Sequence, residues 1–277
     1  MIFVYKKWEE FCDKLAKSGK YSITAAEVAD GNCEENYLVL KHDVETDVKK
    51  AFHIAEIEKK YGHRGVYYVQ GYLLENKDNV SLLKQMQEMG HEISYHYDVL
   101  DFAKGDYDVA LKEFNRYLKL FSDNGFVIRT LCQHGNPVVE RIGYTSNRDF
   151  FRNPNIKKQF SNLTDIMVDF KETANTDYNY YSDAGRKFKK IFDPINNDRI
   201  DSEEKNISYK DLNTVFDDLE DSNSIVSTHP HRWCRSKLKY IFSMAVFKVI
   251  RAVAKLAMKI PGVKKVMSKY YYLAKKI

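Results

Sequence analysis

The sequence predicts an α/β domain built on a parallel sheet, open or closed into a distorted (β/α) barrel, with a basic amphipathic helical tail. Three observations predict it. Short apolar runs of strand length alternate with longer segments whose apolar residues recur every three to four positions. The resulting order of strand, helix, strand, helix, strand, helix, strand requires crossover connections, which are the connections of parallel strands. Histidine-bearing polar clusters stand where those strands would emerge, and folds of this class carry their working groups at the carboxyl ends of strands.

Taken in order, residues 5–20 have a helical pattern that Gly19 can end. Tyr37-Leu38-Val39-Leu40 opens a short buried strand over 37–42. From Asp47 to Lys60, Val48, Phe52, Ile54, Ala55 and Ile57 mark a helix, and Gly62 supplies its C-cap. Residues 65–69 form the next strand, 79–89 a helix closed by Gly90, and 92–95 a third strand. Residues 107–124 are a long amphipathic helix, and 127–131 a fourth strand leading to His134. The stretch 140–210 is less periodic, with a strand read at 165–169; 224–227 is a short strand that delivers His229.

The 277 residues are 44% hydrophobic and 14% aromatic, which suffices for a large core and excludes a disordered composition. Four scattered cysteines read as reduced thiols, and the first ten residues hold no apolar run of signal-peptide length, so a cytoplasmic protein is expected. Charge divides the chain. Thirteen of the 44 Lys and Arg, and none of the 39 acids, lie from Arg232 to Ile277, which leaves residues 1–231 at a formal −8. The expected division is a domain over 1–233 and a tail over 234–277. Within the tail, Lys248, Arg251, Lys255 and Lys259 make one basic stripe on a helix from Tyr240 to Ile260, ended by Pro261-Gly262. Basic residues interrupt every stretch before it reaches the ~20 apolar residues of a span. The tail therefore reads as peripheral attachment to an anionic membrane surface, at the inner face of the cell membrane. A helix packed on the domain is the plainer alternative; the acidic body argues against nucleic acid, and none is expected.

The chemistry-bearing stretch is Lys41-His42-Asp43-Val44-Glu45. On a strand, residues i and i+2 share a face, so Asp43 and Glu45 can serve one site. Three further clusters hold His91 and His96, His134, and His229 with His231. Carboxylates and imidazoles at the ends of separate strands suit a hydrolytic divalent-metal site. Each also has a structural reading: Asp43 as a helix N-cap, His96 as a buried imidazole bonded to backbone, His134 as a turn residue before Gly135-Asn136, and His229 as a loop residue before Pro230. His91, His53 and His63 read as structural.

The four clusters, in this order, resemble the polysaccharide deacetylase family (NodB homology, carbohydrate esterase 4), and most closely its branch opening with an HDVD-type motif. The likeness is densest from Leu40 to Leu100, in KHDVE and GHEISYHYDVL, and extends through His134-Gly135-Asn136-Pro137 and Tyr181-Ser182-Asp183-Ala184-Gly185-Arg186 to His229-Pro230-His231-Arg232-Trp233. It does not cover the tail. The resemblance implies a distorted parallel barrel and a metal-dependent N-deacetylase acting on a carbohydrate, with zinc first and cobalt or nickel as alternatives. It implies Asp43 as general base and Glu45 as metal ligand, or the two exchanged; His96 as a second ligand; and His229 as general acid. The family's second motif histidine is Leu100 here, and His134 is the candidate replacement. Arg186 and Trp233 are candidates for holding substrate. A sugar-binding barrel without catalysis, or hydrolysis of another amide or ester, are the alternative outcomes.

Overall fold

The computed structural model describes residues 2–136, 139–201, 203–219 and 222–257. In chain order the elements are α1 (Tyr5–Lys17), β1 (Ser22–Ile23), α2 (Ala25–Ala29), β2 (Leu38–Val44), α3 (Val48–Lys60), β3 (Gly65–Val69), α4 (Lys77–Glu88), β4 (Glu92–Tyr97), α5 (Val99–Ala103), α6 (Tyr107–Asp123), β5 (Thr130–Gln133), α7 (Asp149–Arg152), α8 (Pro154–Gln159), β6 (Thr164–Asp165), α9 (Phe170–Thr173), β7 (Asn179–Ser182), β8 (Lys189–Lys190), β9 (Ile207–Ser208), α10 (Leu212–Asp217), β10 (Ser224–Thr228) and α11 (Lys237–Ala257). The expected α/β class is what these elements build.

The sheet runs β6-β5-β4-β3-β2-β10-β7-β8-β9, with β1 beside β2. Every pairing from β6 to β7 is parallel, and β8 and β9 add an antiparallel edge. Among the described residues no ladder joins β6 to β7. The sheet curls toward that gap: Val39, Val66, Tyr68, Cys132, Ile166, Tyr180 and Ile225 pack into one cluster on its inner face. Tyr178 Oη donates to the Ile166 carbonyl at 3.3 Å across the gap. The outer face carries the larger core, where Leu38, Leu40, Tyr67, Tyr95, Leu131 and Val226 meet the helices.

This two-sidedness follows from the two-residue side-chain period of a strand. On β2, Leu38, Leu40, His42 and Val44 face the helices, and Val39, Lys41 and Asp43 face inward. His42, though at a strand end, therefore lies outside the site. It is buried against Glu58 of α3, its Nε2 2.7 Å from Oε1. Trp8 Nε1 and Tyr67 Oη also donate to Glu58, at 3.1 and 2.8 Å. Burial raises the Glu58 carboxyl, but His42, His91 and Tyr67 together more than offset it and the group is held below its ordinary range. The space is closed by Gly65, where a Cβ would meet the Leu40 carbonyl and Glu58 Oε2, each at 2.9 Å. Removing a carboxylate from such a buried, multiply bonded cluster strands its donors. Glu58→Ala is expected to lower unfolding free energy by about 3–5 kcal/mol in a denaturant titration, with metal content unchanged.

The expected helices are present, shifted at their ends by up to three residues. Two expected strands are corrected. The fourth starts at Thr130, and Val127 is exposed. The strand expected at 165–169 stops at Asp165 because its side chain turns back on the backbone: Oδ1 accepts from Met167 N, and Asp165 N donates to Asp169 Oδ1, both at 2.7 Å. Such local bonds compete with a ladder. Burial, with Asp169 beside it, pushes the fully buried Asp165 carboxyl up to about 7. The folded chain then keeps a proton that the unfolded chain releases near pH ~4, so stability falls as pH rises through about 7. Asp165→Asn is expected to remove that slope and to gain ~2 kcal/mol at pH about 8, read from unfolding curves at two pH values. Parallel losses in both proteins would contradict it.

The tail helix begins at Lys237, and no described helix is long and apolar enough to cross a membrane. Lys259, the Pro261-Gly262 break and the following basic piece lie outside the described residues, as do the side chains of Arg251 and Lys255.

Candidate metal centre and active site

The inward-facing positions of five strands meet at their carboxyl ends. β2 sends Lys41 and Asp43, with Glu45 one residue beyond it. β4 sends His96; β5 sends Cys132, with His134 beyond it. β7 sends Ser182, and β10 sends Ser227, with His229 beyond it. All of these groups except His134 and Ser227 border a cleft of about 340 Å³. Each position is fixed by register, Asp43 opposite Tyr68, His96 opposite Cys132, and His42 opposite Thr228. His134 is anchored by its own N–H, which donates to the Tyr97 carbonyl at 2.7 Å. The N-cap of α3 is Asp47, whose side chain accepts from Lys50 N, so Asp43 is not needed as a cap.

Glu45, His96 and His134 each present a ligand atom, and these atoms lie within 4.8 Å of one another. Glu45 Oε1 is 3.2 Å from His134 Nε2, and the His96 and His134 rings stand edge to face at 5.2 Å. His96 Nδ1 lies 3.0 Å from the Cys132 carbonyl and donates to it, which leaves the Nε2 lone pair for the site. Burial lowers the His96 pKa to about 3, so the imidazole is neutral, the form that binds metal. Burial alone would raise the Glu45 carboxyl, but His134, His229 and His231 around it hold it well below its ordinary range. Two imidazoles and an ionised carboxylate fit a divalent ion of the zinc type with coordination positions left open. Asp43, His96 and Cys132 form a second candidate set within the same 4.8 Å limit. Burial pushes the Cys132 thiol well up, which disfavours the thiolate a metal needs.

Asp43 sits beside this set. Its Oδ1 accepts from Lys41 Nζ at 2.5 Å, and Lys41 is itself buried, reaching Ser227 Oγ at 3.3 Å. Burial raises the Asp43 carboxyl, but Lys41, then His96 and His229, more than offset it and keep the group ionised. His229 Nε2 is 3.8 Å from Asp43 Oδ2 and 3.6 Å from Glu45 Oε1. Its Nδ1 donates to Asp183 Oδ1 at 2.6 Å. Asp183 also accepts from Thr228 Oγ1, His229 N and Arg232 Nη1 at 2.8, 3.1 and 2.7 Å. Burial would lower the His229 pKa, but Asp183 and Glu45 together more than offset it and the group is raised. The ring is thus oriented, with Nε2 toward the acids and a proton favoured on it.

Of the five residues expected to carry the reaction, Asp43, Glu45, His96 and His229 line this cleft, and His134 stands against Glu45 and His96 at its edge. The two expected to hold substrate, Arg186 and Trp233, do not line it. Trp233 is fully buried in the outer core, against Phe3 and Trp8, and Nε1 donates to Thr228 Oγ1 at 2.8 Å. The turn Pro230–Arg232 intervenes after β10 and sends Trp233 to the opposite side of the sheet. Arg186 lies with its guanidinium 4.1 Å over the Phe247 ring of α11 and Nη1 3.5 Å from Met244 Sδ, so its contacts serve the tail helix. Leu100 is fully buried among apolar residues and belongs to the core. His91 is structural as expected: Nδ1 accepts from Gly65 N and Nε2 donates to the Ala55 carbonyl.

Lys41, Asp183 and Arg232 were not anticipated. Lys41 had a signal, being two residues before Asp43 and directly after the apolar run Leu38-Val39-Leu40. Asp183 and Arg232 fall inside the quoted motifs, but their pairing spans 49 positions and no local pattern announces it.

No family model matches the chain, and no curated protein matches it.

Proposed function

We propose that this protein is a metal-dependent hydrolase that removes N-acetyl groups from an amino sugar of a bacterial surface polysaccharide or its lipid-linked precursor. The observation that carries the reading is the cleft itself: a His-His-carboxylate ligand set, an ionised aspartate and a proton-bearing histidine gathered at the carboxyl ends of parallel strands. When bound, a divalent ion, zinc first, supplies a Lewis acid for the acetyl carbonyl and lowers the pKa of a nearby water. Glu45, His96 and His134 would hold it. Asp43 takes the proton from the water that adds to the carbonyl carbon, and Lys41 keeps Asp43 ionised until then. As the C–N bond breaks, His229 gives its Nε2 proton to the leaving nitrogen, and Asp183 steadies the ring through Nδ1. The products are acetate and a free amine. The same reading takes the curled sheet as the distorted barrel of such enzymes, working at the inner face of the membrane.

The test is acetate and primary-amine release from N-acetylhexosamine oligosaccharides by full-length protein, before and after chelation and re-addition of zinc, cobalt or nickel. Turnover lost with the metal and restored with it is expected. Release from O-acetylated sugars alone would make the protein an esterase; sugar binding without turnover in every metal-loaded form would make it a binding module.

A further inference from the structure

The first turns of α11 present an apolar stripe with nothing described against it. Leu238, Ile241, Phe242 and Val249 are 80, 51, 72 and 63% exposed. At 3.6 residues per turn they share one side of the helix. Lys239 flanks that stripe on one side, and Lys237 and Lys248 on the other. The opposite side of the helix is the one packed on the domain: Tyr240 is buried 6.1 Å from the Phe3 ring, and Met244 and Phe247 meet Arg186. Beside the start of α11 lies a groove of about 340 Å³, lined by Lys49 and Lys50 of α3 and by Arg235 and Lys239, with Glu56 as an acid at its wall. The helix and the 20 residues beyond it contain no acid.

We infer that this face, the apolar stripe of α11 with the basic groove next to it, is where the protein seats on an anionic bilayer. An apolar stripe bordered by lysines matches a bilayer interface, where alkyl and aromatic groups enter the acyl boundary and ammonium groups reach lipid phosphates. The groove adds a pocket of phosphate-binding charge at headgroup level. A protein partner would have to cover exposed Leu238 and Phe242 while opposing a surface of mostly positive charge; anionic lipid satisfies both demands at once. The face is tied to the cleft wall, since Lys50 Nζ donates to the His231 carbonyl at 2.8 Å and Arg186 joins α11 to the segment carrying Asp183. If the proposed hydrolysis is right, a lipid-borne sugar would reach the cleft from this side.

The test is co-sedimentation of full-length protein with phosphatidylcholine vesicles with and without about 30% phosphatidylserine. Two variants are compared, Leu238→Ser/Phe242→Ser and Lys49→Glu/Arg235→Glu/Lys239→Glu. Wild type is expected to bind the anionic vesicles and not the neutral ones, and each variant to lose at least tenfold in partition, as roughly three reversed contacts or two lost apolar anchors require. Absence of wild-type binding, equal binding to neutral vesicles, or wild-type binding by both variants would overturn it; the last would assign attachment to residues 258–277. Turnover of a water-borne oligosaccharide is read in parallel. Wild type that turns substrate over without binding anionic vesicles fails the membrane face alone, and wild type that binds them without turnover fails the hydrolase alone.

Discussion

Replacing His96 with alanine is expected to abolish both divalent-ion binding and turnover. His96 is common to both candidate donor sets, and its ring is held by the Cys132 carbonyl so that Nε2 is offered to the site. Structural zinc sites with four ligands bind with roughly 10–16 kcal/mol, so one ligand accounts for about 3 kcal/mol and its loss weakens binding by roughly two orders of magnitude or more. Metal analysis of the purified variant should give a clearly substoichiometric ion, while its fold, read by circular dichroism, persists. The two donor sets separate on further variants. Loss of metal in His134→Ala with retention in Cys132→Ser is expected from the Glu45, His96 and His134 set. The reverse result would move the ion toward Asp43 and Cys132 and displace Asp43 from its role as base.

Asp43→Asn should retain metal and lose turnover by roughly a thousandfold, the scale of a positioned general base. It should also lose stability, because Lys41 is buried and its ammonium would be left without its counter-charge. The double variant Lys41→Met/Asp43→Asn distinguishes the two effects. Stability is expected to recover toward wild type and turnover is not, since the pair is removed together but the base remains absent. Recovery of both would mean that Asp43 matters only as the partner of Lys41.

Much of the site was legible because strands impose a period of two. The apolar positions of β2 fix which face is the core, and Asp43 and Glu45 then follow onto one side without any structure. His96 and His229 are placed by the same rule on β4 and β10. His134 could be nominated in place of Leu100 because it stands at the end of the next strand, and the sheet brings it to Glu45. The rule fails where a turn follows the strand. Trp233 lies beyond a helical turn, and Arg186 follows Gly185 in a left-handed turn, with φ of 71° and 62°, that carries it to α11. In both, the turn resets direction and a sequence pattern no longer tells which way a side chain points. The strand at 165–169 was misplaced for a related reason: Asp165 and Asp169 bond to local backbone, and apolar neighbours alone do not reveal it. Asp183 needed the fold, because only the pairing of β7 with β10 brings it to His229.

The central claim is a single ion shared by Glu45, His96 and His134. Anomalous diffraction at the zinc edge, from crystals of the full-length protein grown with zinc, tests it directly. One strong peak is expected about 2.0–2.2 Å from His96 Nε2, a His134 ring nitrogen and a Glu45 carboxylate oxygen. A peak bound elsewhere in the chain, or none in this cleft at saturating zinc, would contradict it.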